Sequence, residues 1–160
     1  MPLDTGHSRL PGVRAHRVLP DACVDIVFIN DEPPVVVGPW TDPFIARLVA
    51  GTRIVGARLH PGHAPSVLGM PATELLNRSA LLSDVWGHNR ARFASVLDMA
   101  RLASRKSALV EALTRATALA AQPDQVVVAS IGWLAQHPHG RVEQLSQWIG
   151  ISHRQLQRRF

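Results

Sequence analysis

The sequence contains little cysteine, few aromatic residues and no long apolar run. Cys23 is the single cysteine among 160 residues, so an internal disulfide is excluded and a reducing compartment is the expected environment. Tyrosine is missing, and aromatic residues make up 5% of the chain. The sequence has no run of about 18 apolar residues that could span a bilayer. Residues 1–18 also lack the apolar core of a signal peptide. We therefore predict a cytoplasmic protein with no membrane partner.

The composition is that of a globular protein with an excess of basic residues. Hydrophobic residues account for 46% of the chain and charged residues for 18%, which is typical of a folded domain. The formal net charge is +5, and the last twenty residues hold four arginines and one glutamate. A basic terminal element indicates an anionic partner. An ordinary solvated helix face is the alternative.

The pattern of apolar residues changes near residue 60. Before it, short β-branched runs alternate with turn signals and predict four or five strands: "VDIVFIN" (24–30), "VVVG" (35–38), "FIARLV" (44–49) and "GTRIVGARL" (51–59). After it, spacings of three and four predict helices, in "ATELLNRSALL" (72–82), "NRARFASVLDMARLA" (89–103), "KSALVEALTRATALAA" (106–121) and "QPDQVVVASIGWLAQHPHG" (122–140). This order predicts an α+β fold, with a β-rich N-terminal part followed by helices.

The last twenty residues have the pattern of two short helices joined by a glycine turn. Val142, Leu145 and Ile149 recur on one face of the first helix. Gly150 follows where a helix end often needs a left-handed residue. Two short helices with such a turn predict a helix-turn-helix.

The second helix of this pair is expected to be capped, half-buried and polar on its outer side. Ser152 begins an S-x-x-Q capping box, and Leu156 and Phe160 are expected on the buried side. The outer side carries Arg154, Gln157 and Arg158. Arginine can bond bidentately to guanine and glutamine to adenine, and the capped N-terminus with the Ser152 hydroxyl suits a phosphate oxygen.

We therefore predict a recognition helix that enters the major groove of double-stranded DNA. The alternative is an ordinary amphipathic helix pair with solvated arginines. Arg159 departs from the simple pattern, and we expect it to reach either a phosphate or solvent.

The segment "VEQLSQWIGISHRQLQRRF" (142–160) resembles the first helix-turn-helix of the AraC/XylS family of bacterial transcription regulators, whose signature is close to "LA-x-x-x-G-[LIM]-S-x-R-x-L-x-R-x-F". The upstream part resembles the N-terminal domain of one branch of that family. The matching stretches are "VLPDACVDIVF" (18–28), "VVVGP" (35–39), "VGARLHPGHAPSVLGMPATEL" (55–75) and "LSDVWG" (82–87). The resemblance implies base contacts by Arg154, Gln157 and Arg158, with Ser152 and His153 near the DNA backbone.

The resemblance also implies a function and a domain order. It implies a sequence-specific DNA-binding transcription regulator, with a small-molecule effector and a second copy of the chain as further partners. Residues 1–75 would form a β-rich sensor or dimerisation domain, residues 76–122 a helical linker region, and residues 123–160 a partial AraC-type DNA-binding domain.

The sequence departs from the family pattern at both ends. Family DNA-binding domains contain two helix-turn-helix units, whereas this chain stops inside the first recognition helix. It also starts after the position of a leading strand with a tryptophan. We therefore expect a fragment, a truncated product or a degenerate relative that binds DNA weakly or not at all by itself. The alternative function is an effector-binding or dimerisation module that no longer reads DNA.

Two further clusters have plainer interpretations. Asp21, Cys23 and Asp25 in "DACVD" shape either an effector pocket or, as we favour, a structural turn. Cys23 is expected to be a small buried hydrophobe, because nothing basic adjoins it to lower its pKa. His60 and His63 make at most half of a metal site, so no metal is expected.

The tryptophans and the missing catalytic motifs complete the predictions. Trp40, Trp86, Trp133 and Trp148 lie on apolar faces and are expected in the core. The sequence contains no P-loop, G-x-S-x-G, H-E-x-x-H or pair of carboxylates on one helical face, so we expect neither an enzyme nor a cofactor.

Overall fold

The computed structural model describes residues 12–87, 97 and 102–160, and these have the predicted α+β order of strands followed by helices. The strands are β1 (Val13–Val18), β2 (Val24–Ile29), β3 (Val35–Val37), β4 (Phe44–Val49), β5 (Ile54–Leu59) and β6 (Ser79–Leu81). The helices are α1 (Ala64–Leu68), α2 (residues 82–87), α3 (Arg105–Ala118), α4 (Gln125–Gln136), α5 (Val142–Ile149) and α6 (His153–Gln157). Short 3₁₀ turns cover Ala72–Leu75 and Leu102–Ser104. Most of the helix predicted over 89–103 lies outside the described residues.

The strands pair into two antiparallel sheets within the described residues. The larger sheet has the order β5-β2-β3-β6, and β2 pairs with β5 from Val24↔Leu59 to Ile29↔Ile54. The smaller sheet is a ribbon of β1 and β4, in register from Val13↔Val49 to Val18↔Phe44. All four strand segments predicted from the sequence are therefore confirmed, and β1 and β6 are additional.

The main core lies between the four-stranded sheet and the helices that follow it. Val24, Ile26 and Phe28 alternate along β2 and are fully buried, because a strand presents every second side chain to one face. They pack with α1, α2 and the buried apolar residues of α3, which are Leu109, Ala112 and Ala116. The period of two in the strand and of three to four in the helix place both apolar faces toward the same core.

The helix predicted over 72–82 is wrong in its second half. Ala72–Leu75 forms a single 3₁₀ turn, and Asn77 then takes a positive φ of 57° that ends any helical run. Ser79–Leu81 instead pairs with β3, from Val35↔Leu81 to Val37↔Ser79. Backbone pairing at a sheet edge therefore outweighs the helical spacing of the apolar residues.

The first buried residue of α3 is an arginine. Its guanidinium carbon, in Arg105, lies 4.9 Å from the centroid of the Phe28 ring, and its Nη2 lies 3.8 Å from Asp31 Oδ1. A cation over an aromatic face is attracted by the ring quadrupole. This contact fastens the start of α3 to the end of β2.

The C-terminal helices contact the β-rich part through the turn that follows β5. Gly62 has a φ of +82°, and a Cβ added there would lie 2.9 Å from Ile131 Cδ1 and 3.3 Å from Val127 Cγ1. α4 therefore lies directly against this turn, and glycine suits both the positive φ and the close approach. None of the helices in the described residues is long and apolar enough to cross a membrane.

Candidate nucleic-acid interface

The turn between α5 and α6 has the predicted geometry. Gly150 is left-handed, with φ of +77°. Its N–H donates to the Ser146 carbonyl at 3.0 Å, and the N–H of Ile151 donates to the same carbonyl at 3.2 Å. These bonds satisfy the carbonyl end of α5. The chain then turns sharply into α6.

The capping box predicted at the start of α6 is confirmed. Ser152 Oγ accepts a hydrogen bond from the backbone N–H of Gln155 at 3.3 Å. In return, Gln155 Oε1 accepts from the backbone N–H of Ser152 at 2.9 Å. Because the Ser152 hydroxyl also donates to Gln155 Oε1 at 2.9 Å, it is already engaged within the helix start. A five-residue helix has little stability of its own, so these bonds and tertiary packing hold it.

α5 contacts both α4 and α6. Each of these helices has a buried apolar residue: Val127 in α4, Leu145 in α5 and Leu156, which is 4% exposed, in α6. Phe160 is 49% exposed, which corrects the expectation that it shares the buried side with Leu156. The reason is that the helix ends at Gln157, and the N–H of Arg159 bonds to the Leu156 carbonyl at 3.0 Å. Phe160 therefore does not lie one helical turn beyond Leu156.

The five residues predicted to contact DNA lie together on or beside α6, and all are exposed: Ser152, His153, Arg154, Gln157 and Arg158. His153, Arg154 and Gln157 belong to the helix, Ser152 is its N-cap and Arg158 its C-cap. Across the described part of the chain, Arg154 and Arg158 take part in no ion pair. Within the described residues, the surface therefore presents two guanidinium groups that form no ion pair.

Arg159 contacts the residue that begins α4. Its Nη1 contacts Asp124 Oδ2 at 2.5 Å. Asp124 is also the N-cap of α4, because its Oδ1 accepts from the N–H groups of Val126 at 2.9 Å and Val127 at 3.3 Å. Burial alone would raise the pKa of Asp124, but the hydrogen bonds from Arg159, Val127 and Val126 lower that pKa below its ordinary value.

Sequence reasoning missed this pair because 35 positions separate the two residues. The local sequence pattern indicates a role for Asp124 but none for Arg159. Asp124 follows Pro123 directly before an apolar helix, which is a typical N-cap position. Nothing in the sequence points from that cap to Arg159 rather than to its neighbour Arg158.

An aromatic cluster connects α4 and α5. Trp133 stacks on His137, with ring centroids 4.2 Å apart, and lies 6.4 Å from the ring of Trp148. The Trp133 and His137 rings border an open groove of about 360 Å³, which is also lined by Pro138, His139, Gly140 and Gln144. Trp148 is 57% exposed, so the expectation that all four tryptophans are core residues is wrong for it. Trp86 is buried as expected, whereas Trp40 and Trp133 are only half-buried.

The "DACVD" cluster is held by an arginine of β5. Arg58 Nε and Nη2 donate to the two oxygens of Asp25, each at 2.8 Å, and Nη1 lies 2.7 Å from Asp21 Oδ2. The hydrogen bonds to Asp25 and its charge raise the pKa of Arg58. Asp21 Oδ1 also accepts from the N–H of Cys23 at 3.0 Å. These contacts fit the structural-turn interpretation, since they fasten β5 to the start of β2.

Cys23 differs from its predicted surroundings. It is half-buried rather than buried, and a basic group, Arg58, does lie close to it. Burial, followed by the negative charge of Asp21, nevertheless raises the pKa of the Cys23 thiol despite the opposing effect of Arg58. The thiol is therefore not activated as a nucleophile.

The "HPGH" segment forms the turn against which α4 packs. His63 Nδ1 lies 3.3 Å from the Pro61 carbonyl within that turn. Among the residues that the structure describes, no group of three or more His, Cys, Asp or Glu side chains could hold a metal ion.

Comparison with known proteins adds one finding on the N-terminal part. Residues 5–80 match the family model for a domain of unknown function (DUF6597). The match includes β1 to β5 and α1, and it ends before α3 to α6. No curated protein matches the chain, and no solved structure matches it.

Proposed function

We propose that this chain is a sequence-specific DNA-binding transcription regulator of the AraC type, and that α6 enters the major groove of double-stranded DNA. The observation that carries the proposal is the α5–Gly150–α6 turn, with Arg154, Gln157 and Arg158 exposed on or beside the second helix. A capped helix after a left-handed glycine is the form in which helix-turn-helix proteins present base-reading side chains.

The chemistry of each exposed side chain indicates which part of the DNA it contacts. Arg154 and Arg158 suit guanine, since a guanidinium can donate to both O6 and N7, and Gln157 suits adenine. Neither arginine makes an ion pair within the described residues, so none of the ion pairs seen there has to break when DNA binds. We place Ser152 and His153 near the DNA backbone, where contacts set register rather than sequence preference.

The size of this surface predicts weak, salt-dependent binding. A single short helix makes few phosphate contacts, and affinity for duplex DNA falls steeply with salt and depends on the number of such contacts. A second copy of the chain would double the contacts, as in dimeric helix-turn-helix proteins. We therefore propose that the cytoplasmic regulator uses its β-rich part to dimerise or to bind a small-molecule effector.

The test is fluorescence anisotropy with labelled duplexes from around the gene of this protein, at low and physiological salt. The wild-type chain is compared with the triple variant Arg154→Ala, Gln157→Ala, Arg158→Ala. The control is the double variant Arg53→Ala with Lys106→Ala. It also removes two positive charges, but from exposed positions on the β-rich part and on α3. We expect the triple variant to lose sequence-dependent binding and the control to keep it.

Two outcomes would count against the proposal. Equal losses in the triple variant and the control would mean that only net charge matters. Binding that vanishes with salt and ignores sequence would mean that the arginines give a nonspecific hold. The chain would then fit the alternative of an effector-binding or dimerisation module.

Arg158→Ala alone tests one base contact. We expect it to reduce discrimination at one base pair by about 1–3 kcal/mol and to leave the other positions of the site unchanged. Binding of a set of single-base variants of the preferred duplex measures this. An unchanged sequence preference would remove Arg158 from the base-reading residues.

A further inference from the structure

We propose that the ion pair between Asp124 and Arg159 sets the orientation of α6 on the body of the domain. Arg159 is then a positioning residue and not a DNA contact. This inference rests on the proposed function, because the orientation matters only if α6 reads DNA. It assigns different roles to arginines that are adjacent in the sequence, Arg158 and Arg159.

The carboxylate of Asp124 is fixed by α4 before it meets Arg159. Its Oδ1 accepts from the N–H groups of Val126 and Val127, and its Oδ2 contacts Arg159. Rotation of the carboxylate would break the cap, and the loss of N-cap bonds destabilises the start of a helix. Asp124 is therefore a rigid anchor on α4 for whatever binds its second oxygen.

Within the described residues few other contacts hold α6, so the helix needs such an anchor. Leu156 is its one buried residue, and the capping box of Ser152 and Gln155 closes on the helix itself. A short helix held through a single side chain can tilt about that side chain. Arg159 adds a second attachment, just beyond the opposite end from the capping box, and connects it to α4 rather than to α5.

Exposure shows what kind of contribution the pair makes. The side chains of Arg159 and Asp124 are 44% and 38% exposed, and ion pairs at such positions add little to folding stability. Geometry is more sensitive, because base-reading side chains must be held to a fraction of an ångström. The main effect of the pair is therefore expected on DNA discrimination.

The substitution Asp124→Asn distinguishes a positioning role of the ion pair from a purely electrostatic effect of its charges on DNA binding. Asparagine keeps a cap oxygen for Val126 and Val127 but removes a negative charge near the DNA surface. If electrostatics alone mattered, this substitution would strengthen DNA binding. If the pair positions α6, the same substitution weakens discrimination.

The experiment uses the full chain with Asp124→Asn, Arg159→Gln, both together, and Arg159→Lys. Anisotropy measures the ratio of affinities for the duplex that the wild type prefers and for an unrelated duplex. We expect each single substitution to lower this ratio by a similar factor, on the order of tenfold, and the double variant to lower it no further. Arg159→Lys, which keeps a charged donor, should restore part of the ratio.

Two results would overturn the inference. One is a loss in Arg159→Gln without a loss in Asp124→Asn, since Arg159 would then contact DNA directly. The other is a double variant whose loss is the product of the two single losses, since the residues would then act independently.

A measurement without DNA separates this inference from the proposed function. Amide hydrogen exchange reports on α6 through the N–H groups of Leu156 and Arg159, which donate to Ser152 and Leu156 carbonyls. We expect faster exchange there in both Asp124→Asn and Arg159→Gln, with Val128 in α4 still protected in Asp124→Asn. If the wild type prefers no duplex, the proposed function fails, and unchanged exchange in α6 would separately overturn the positioning role.

Discussion

At the residue scale, Leu156 is the side chain that holds α6 to the rest of the chain. It is the buried residue of that helix, whereas Phe160, which follows the helix end, is half exposed. The two residues are four positions apart, and the helical spacing therefore predicts that both are buried. Their difference arises because the helix ends at Gln157, before it can carry Phe160 to the same face.

Leu156→Ala should therefore cost much more stability than Phe160→Ala. Truncating a buried leucine leaves a cavity and typically costs about 2–5 kcal/mol, whereas a change at an exposed position usually stays within about 0.5 kcal/mol. Urea unfolding followed by the fluorescence of Trp133 and Trp148, which lie in α4 and α5, measures both. Equal losses in the two variants would show that Phe160 is packed in solution.

At the element scale, the strands that the sequence predicted are the ones with a strong local signal. β2 and β5 consist mainly of β-branched and apolar residues that suit a half-buried pleated surface. β1, with the sequence VRAHRV, is mostly exposed and exists through its pairing with β4. β6 is likewise three residues on the edge of β3. Short edge strands depend on pairing with a partner strand. For β1 and β6 this partner lies far away in the sequence, so a local pattern of residues does not reveal it.

The lowered pKa of Asp124, the N-cap of α4, predicts how the stability of the protein changes at acid pH. The pKa of Asp124 is lowered in the folded chain, so its charged form favours the folded state. This contribution is present above the unfolded pKa of about 3.9 and is lost as the pH falls through the lower folded pKa. Asp124→Asn should therefore be less stable than the wild type at neutral pH, and the difference should shrink toward pH 3.

Urea midpoints of the two proteins across this range measure the effect. Other carboxyl groups titrate in both proteins, so the difference between them isolates Asp124. A difference that stays constant with pH would mean that the Asp124 charge does not favour folding.

At the scale of the whole molecule, the turn at residues 60–63 joins the β-rich part to the C-terminal helices. It follows β5 directly and lies against α4 through Gly62. The Pro-Gly pair announces a turn in the sequence, but its contact with Val127 and Ile131 depends on residues more than sixty positions away. The "HPGH" turn is therefore a junction between the two parts of the chain.

Gly62→Ala tests this junction, and Gly51→Ala is its matched control. Both glycines have a positive φ, of +82° and +86°, but only Gly62 has atoms near an added Cβ, since nothing lies within 4 Å of one at Gly51. Each substitution should cost about 1–2 kcal/mol for the left-handed backbone. Gly62→Ala should cost about 1 kcal/mol more, because overpacking displaces α4. Urea unfolding measures both, and equal losses would show that α4 does not lie on the turn.

The sequence by itself determined the features that depend on near neighbours. The alternation in β2, the left-handed Gly150 and the Ser152–Gln155 capping box each need only a few adjacent residues, and each is present as predicted. The tertiary structure alone decided which arginine faces α4, which tryptophan is exposed and what the Pro-Gly turn contacts. Arg158 and Arg159 are equal in charge and adjacent in the chain, and the tertiary structure brings Arg159 rather than Arg158 to Asp124. Contacts between distant segments form when the apolar faces of those segments are buried together. A local pattern of residues therefore cannot predict them.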